Sequence, residues 1–300
     1  MFNQLFSRSG LSLERLRTFC EVAEVGSMAK AANGDTVKQS QFSRQIKELE
    51  EHFGQKLTER SGRNVVLTKA GSEFAAMARQ VLATLEDFQQ GGGNRTVEIS
   101  LGAGESFHRG VILPRLGQIR SRLPEITLGL RNLRGVEIVE GLIDGRLDLG
   151  VIDEDELTGD LQSERLGKVA YGLVVRKDAL TTTERKGANW KAALALPFVG
   201  MEGRNRMMTA ITELAKEAKV DIRFSVKCSS WLAVADVLAQ QGGVGVLPSV
   251  IPVPAGCVAI NVPGLRPFDR NILLAWDARR GTIRPQSAKS QRVLADVLKF

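Results

Sequence analysis

The chain has 300 residues, with 41 Lys and Arg against 34 Asp and Glu and a formal net charge of +7. That length exceeds what one compact core usually holds, so two or three domains are expected. An apolar fraction of 43% with 25% charged residues excludes a disordered or fibrous chain. The positive excess does not sit at the N-terminus: residues 1–94 carry 12 Lys and Arg against 11 Asp and Glu. Net charge therefore supports a polyanionic partner only weakly, and the case for one must come from local arrangement. The three cysteines, Cys20, Cys228 and Cys257, form neither a disulfide framework nor a metal site. No metal or cofactor is expected. The first residues lack the apolar stretch and cleavage site of a signal peptide, and no run of about 18 apolar residues exists, so a cytoplasmic location with no membrane partner is the default.

Residues 11–90 read almost wholly as helix. Leu13, Leu16, Phe19, Val22 and Ala23 recur at helical spacing and are expected to make one buried stripe. Gly26-Ser27 ends that helix and starts a short one over Met28–Asn33, with Ser27 as N-cap and Gly34 available for a left-handed end. A third helix is expected over about Lys38–Phe53, turning Phe42, Ile46 and Leu49 inward. Ser61-Gly62-Arg63-Asn64 is a turn signal between two short apolar runs and predicts a hairpin. A long helix follows, with Phe74, Met77 or Ala78, Val81, Leu85 and Phe88 as one coiled-coil-like seam, so the segment 72–89 is expected at a contact between copies of the chain. Residues 89–94, QQGGGN, read as a flexible linker.

After residue 95 strands and helices alternate. Val97, Ile99 and Leu101 open the series, with further strands near 126–131 and 147–152. A second series has a strand near 197–201, a helix over Arg204–Ala218, a strand near 222–228, a helix over 231–241 and the strand ending in Val246-Leu247-Pro248. Two βαβαβ runs predict parallel α/β packing in two lobes with a ligand cleft between them. Val169–Val175 and Arg270–Trp276 are candidates for the crossing segments. The boundaries expected are 11–70 for an N-terminal domain, 71–94 for a linker helix and flexible linker, and 95–300 for a two-lobed C-terminal domain. Its first lobe would span 95–168 plus 273–300, and its second 169–272.

The two short helices over 27–53, joined by a tight turn, fit a helix-turn-helix. Its second helix must offer hydrogen-bonding side chains to the major groove. The outward face carries Gln39, Ser40, Ser43, Arg44 and Lys47; Gln and Arg suit base edges, Ser and Lys suit phosphates. Arg60 and Arg63 stand at the hairpin tip, where a wing would touch the backbone.

Further residues carry a resemblance. Leu13, Leu16, Phe19, Val22-Ala23 and Gly26-Ser27 are followed by Ala31-Ala32, Ser43-Arg44-Gln45-Ile46-Lys47, Leu49-Glu50 and Gly54, then by Leu57, Arg60, Val65, Leu67-Thr68 and Ala70-Gly71. In order and spacing these resemble the DNA-binding half of LysR-type regulators. Leu113-Pro114, Pro124, the run Gly145 to Gly150, Gly243, Gly245 and Leu247-Pro248 resemble that family's effector domain. The resemblance implies an N-terminal all-α winged helix-turn-helix with a long linker helix and a C-terminal α/β two-lobed domain like periplasmic binding proteins. It implies double-stranded DNA, a small effector and RNA polymerase as partners, and a homodimer or homotetramer. The turn departs from the family, which usually has Leu, Ser and Pro where Asp35, Lys38 and Ser40 stand. Asp35 at a buried position would be costly unless the turn is reshaped or it caps a helix.

Gly102-Ala103-Gly104-Glu105-Ser106, Gly200 to Asn205 and Cys228-Ser229-Ser230 each follow a strand and precede a helix. Helix starts suit anions. Gly104, Glu105, Ser106, Met201, Glu202, Arg204, Ser229 and Ser230 are therefore the expected effector contacts, and an organic anion the expected class, with Glu105 and Glu202 arguing for a cation. No catalytic motif appears, so an enzyme is not expected. The alternative is a two-lobed small-molecule-binding protein whose N-terminal module only dimerises.

Overall fold

The computed structural model describes residues 5, 7, 9–61, 64–90, 97–159, 161–180, 190–203, 206–278 and 285–300. Arg63 and Arg204, both expected at binding sites, lie outside them.

Helix α1 (Leu13–Val25) is capped by the Ser12 hydroxyl and closed by Gly26 at φ 65°. Ser27 caps the short α2 (Met28–Ala31), which ends two residues before the expected Asn33. Helix α3 (Thr36–Phe53) begins two residues earlier than expected because Asp35 is its N-cap. Its carboxylate accepts from Val37 N at 2.9 Å and Lys38 N at 3.1 Å. Asp35 is exposed. The departure from the family pattern therefore carries no burial penalty, and it satisfies two amides that a helix start leaves orphaned.

Strands β1 (Thr58–Ser61) and β2 (Asn64–Leu67) pair antiparallel, as the turn signal predicts. Leu16, Phe19, Val22, Ile46, Leu49 and Leu57 form the core of this domain together with Phe74, Ala75 and Ala78 of α4 (Lys69–Gln90). Helix α4 thus splits its apolar residues between two faces. Phe74 and Ala78 belong to the domain's own core, whereas Met77, Val81, Leu85 and Phe88 are solvent-exposed. The single seam expected from spacing is corrected to a four-residue stripe.

The rest of the chain builds two five-stranded sheets among the described residues. The first contains β3 (Val97–Ala103), β4 (Ile126–Asn132), β5 (Leu149–Asp153), β6 (Leu161–Val169) and β12 (Arg270–Asp277), in the order β4-β3-β5-β12-β6. The second contains β7 (Tyr171–Arg176), β8 (Phe198–Met201), β9 (Phe224–Cys228), β10 (Val244–Pro248) and β11 (Cys257–Ile260), in the order β11-β7-β10-β8-β9. Neither sheet is purely parallel. β12 runs antiparallel to β5 and β6, and β7 antiparallel to β10 and β11. The chain crosses between sheets at β6–β7 and again at β12. A strand that enters a sheet from its neighbour is not bound by the helical crossover that keeps βαβ strands parallel. Arg270–Ile272, expected in the second lobe, pair within the first sheet.

Helices cover the sheets. In the first lobe these are a helical run over 105–122, called α5, with a π turn at His108–Ile112, and α6 (Gly135–Asp144). In the second they are α7 (Trp190–Leu194), α8 (Arg206–Glu217) and α9 (Trp231–Gln241). The C-terminal α10 (Pro285–Val297) returns to the first lobe, where Leu294, Ala295, Val297 and Leu298 join the buried cluster around Ile99, Leu101 and Leu149.

Candidate functional site

Helix α3 turns Ile46 and Leu49 fully inward, packs Phe42 against the core, and leaves Gln39, Ser40, Arg44 and Lys47 exposed; Ser43 is half-buried. Positions 39, 43 and 47 form one row and 40 and 44 a second, at the four-residue spacing of one helix face. Arg44 and Lys47 are each paired with the carboxylate four residues on, at 3.6 Å to Glu48 and 3.5 Å to Glu51. With the two cations 74% and 72% exposed, such pairs are worth only about 0.3–0.5 kcal/mol and are readily exchanged for another anion. The Ser40 hydroxyl donates to Thr36 O at 3.0 Å. Arg60 is exposed on β1.

Two residues of this region have no role in the sequence reading. Val37 is 76% exposed in the first turn of α3, an aliphatic group off the buried stripe. Its misfit to the period of Phe42, Ile46 and Leu49 is the signal that could have found it. Glu50 is buried and gathers four donors: Leu57 N, Thr58 N and Thr58 Oγ1 at 3.0, 3.0 and 3.1 Å, and Lys56 Nζ at 2.7 Å. Burial pushes its carboxyl up, but the Lys56 ammonium and the Thr58 and Leu57 donors outweigh that and hold it below the usual carboxylate range. Glu50 therefore fixes the wing to the end of α3.

A cleft of about 560 Å³ opens between the two sheets. Of the expected contacts, Gly104, Glu105, Ser106, Met201, Ser229 and Ser230 line it. Glu202 does not: its amide donates to Cys228 O at 2.8 Å and its side chain is exposed beside β9. Ser230 caps α9, its hydroxyl accepting from Ala233 N at 3.2 Å.

The cleft also brings in residues the sequence reading missed. Arg134, Gly135 and Glu137 stand at the start of α6, Asp153 and Glu156 at the end of β5 and the turn after it, and Tyr171 and Arg270 on the crossing strands. Glu156 accepts from Asp153 N at 3.0 Å. Its carboxylate lies so close to the start of α6 that a Cβ on Gly135 would fall 1.8 Å from Oε1. Arg270 reaches Asp155 at 2.7 Å and stands 4.0 Å from Asp153. Burial, reinforced by Glu156 and opposed by Arg270, raises the Asp153 carboxyl above its ordinary value. Burial, then Asp153, raises the Tyr171 phenol. The Tyr171 and Trp231 rings, both on the second lobe, pack tilted at 53° with centroids 6.1 Å apart on one wall of the cleft. Carboxylates and guanidinium groups thus share one cavity with an aromatic wall.

A sequence profile of the bacterial regulatory helix-turn-helix protein, lysR family, matches residues 13–72, and one of the LysR substrate binding domain matches residues 92–293. The chain belongs to the LysR family. It is 26% identical over 300 residues to the nitrogen assimilation regulatory protein nac of Klebsiella aerogenes, covering 96% of this chain and 95% of that protein. Its fold is similar to that of the full-length LTTR LysG from Corynebacterium glutamicum with bound effector Arg. There the TM-score is 0.62 at 17% identity, over 97% of this chain and 100% of that one. ArgP from Mycobacterium tuberculosis is similar too, with a TM-score of 0.63 at 19% identity, over 95% and 97%. This LysR-type protein is therefore a transcriptional regulator with a DNA-binding and an effector-binding domain, not an enzyme. Its three cysteines are free thiols, and burial raises each, Cys20 to about 11. Such thiols are poor nucleophiles. Among the described residues no helix is long and apolar enough to cross a membrane.

Proposed function

We propose that this regulator reads DNA with the outward face of α3 and senses a zwitterionic small molecule in the cleft. The observation that carries the ligand class is the mixed lining: Arg134 and the helix starts at Ser106 and Ser230 suit a carboxylate, while Asp153, Glu156, Glu137 and Glu105 suit an amine or guanidinium. The sequence favoured an organic anion; three of these four carboxylates were outside that reading. The likeness to LysG, which was solved with Arg bound, is consistent with a ligand of this kind. The two sheets would close on it as in periplasmic binding proteins. The working division is 11–70, 71–94 and 95–300.

On the DNA side, Arg44 and Gln39 would reach base edges, with Ser43 beside them. Val37 would meet a thymine methyl, and Ser40, Lys47, Arg60 and Arg63 would hold phosphates. The exposed stripe Met77, Val81, Leu85 and Phe88 would pair two copies, so that two reading helices meet two half-sites. Action on transcription calls for contact with RNA polymerase and a place in the cytoplasm.

A thermal-shift screen with α-amino acids, the matching amines and the matching deaminated acids tests the ligand class. A true ligand at a hundredfold excess over its Kd adds about 2.7 kcal/mol. The zwitterions should stabilise the protein, and Asp153→Asn should remove the preference for the amino group. Stabilisation by the deaminated acids alone would return the cleft to an anion site.

A further inference from the structure

The cleft and the linker helix α4 share one element. Helix α6 starts in the cleft, where Arg134, Gly135 and Glu137 line the wall, and it ends about 15 Å away at Asp144. At that end Arg79 of α4 donates to the Asp144 carbonyl and approaches its carboxylate to 3.7 Å. The carboxylate is oriented by Arg146, at 3.1 Å from its amide and 2.8 Å from Nε. The Arg79 side chain is only 13% exposed, against 74% for Arg44 on α3. A guanidinium on the last carbonyl of a helix complements the negative end of its dipole, so the contact is selective for a well-placed α6 terminus.

Helix α6 packs directly on the strands beneath it. Ile138 rests directly on the strand backbone: a Cβ on Gly150 would come 2.3 Å from its Cγ2, and one on Gly102 3.3 Å from its Cγ1. With glycine at those two strand positions Ile138 sits on the backbone itself, and Leu147 wedges between Gly102 and Gly141 of α6, so the helix is keyed to the sheet and any displacement is a small shear of the packed whole. Sliding of a packed helix by an ångström or two is the usual form of such a shear. The carboxylate of Glu156 already sits against the first residue of α6, so a change there bears on the helix end-on.

We infer that α6 is a strut that carries the state of the cleft to the linker helix through Arg79. The inference rests on the reading of the cleft as the effector site, but its test needs no effector. Hydrogen exchange is measured across residues 69–90 of the full chain. Gly135→Ala, which must displace the Glu156 side chain, and separately Glu156→Gln, stand in for a change in the cleft. Each is made with Arg79 intact and with Arg79→Gln. With Arg79 intact, exchange around Arg79 should change by roughly fivefold or more, within the range of ordinary allosteric couplings. With Arg79→Gln the change should fall below about twofold, and Arg79→Lys should restore part of it. If Arg79→Gln fails to fold by thermal melt, Arg79→Met keeps the aliphatic stem and serves instead. An equal change in both backgrounds, or none with Arg79 intact, overturns the strut. A ligand screen that finds nothing counts against the zwitterion reading alone.

Discussion

Glu50 holds the DNA-binding domain together at the point where α3 gives way to the wing. Leu57 N, Thr58 N and Thr58 Oγ1 converge on Oε1 and Lys56 alone on Oε2, so Glu50→Gln can keep the first three through its amide oxygen but sets its NH2 against the Lys56 ammonium, and should cost about 1 kcal/mol in denaturant unfolding. Because the folded carboxyl lies below its ordinary 4.5, this stabilisation is complete above that pH and is lost as pH falls through the lower folded value. The acid limb of the wild-type stability profile should therefore be less steep in Glu50→Gln. Arg44 and Arg60 test a division of labour on DNA. Arg44→Ala should cut discrimination between operator and random DNA by about 1–3 kcal/mol. Arg60→Ala should weaken binding to every sequence alike and lower the salt slope by about 0.9. Anisotropy titrations at several salt concentrations separate the two, and equal losses on every sequence for both would remove the distinction. At this scale the sequence showed the outward face of α3 but not Glu50, because its partners lie seven and eight residues on, in a hairpin whose closeness only folding creates.

The elements were legible where one period served one neighbour. The inward face of α3 follows from spacing alone, and so does the stripe of α1 from Leu16 on, but Leu13, expected to open that buried stripe, is 55% exposed. Helix α4 misled because Phe74, Ala78, Val81 and Leu85 fit one seam on paper, while Phe74 and Ala78 serve the domain core and the others do not. Periodicity reports that residues share a face, not which neighbour takes it. The corrected stripe sharpens the test: Val81→Glu should weaken self-association and operator binding together with little effect on thermal stability, since Val81 is 39% exposed. Ala78→Glu, at a wholly buried position, should instead unfold the winged domain. If sedimentation finds Val81→Glu still associated, the stripe is not the contact. The Asp35 cap is a second case. Only the structure distinguishes a misplaced buried acid from an N-cap, and Asp35→Ala should cost about 1 kcal/mol.

Across the whole molecule, the two-sheet plan was visible because strand and helix patterns alternate twice. The mixed strand directions were not, because β7 and β12 pair antiparallel with strands distant in sequence. The cleft was half legible for the same reason. Gly104, Ser106, Ser229 and Ser230 stand between a strand and a helix and announce themselves locally. Arg134, Asp153, Tyr171 and Arg270 are brought together from four separate elements by the crossing of the chain between sheets. These late additions are the ground on which the proposal names a zwitterion where the sequence suggested an organic anion. The DNA-reading role of α3 is tested most directly by passing fragmented genomic DNA of the source organism over the purified protein and sequencing what is retained. The account predicts that the retained fragments share a motif with two-fold symmetry and that Arg44→Ala loses this enrichment while still holding DNA at low salt. Fragments with no common motif, or the same motif retained equally by Arg44→Ala, would contradict it.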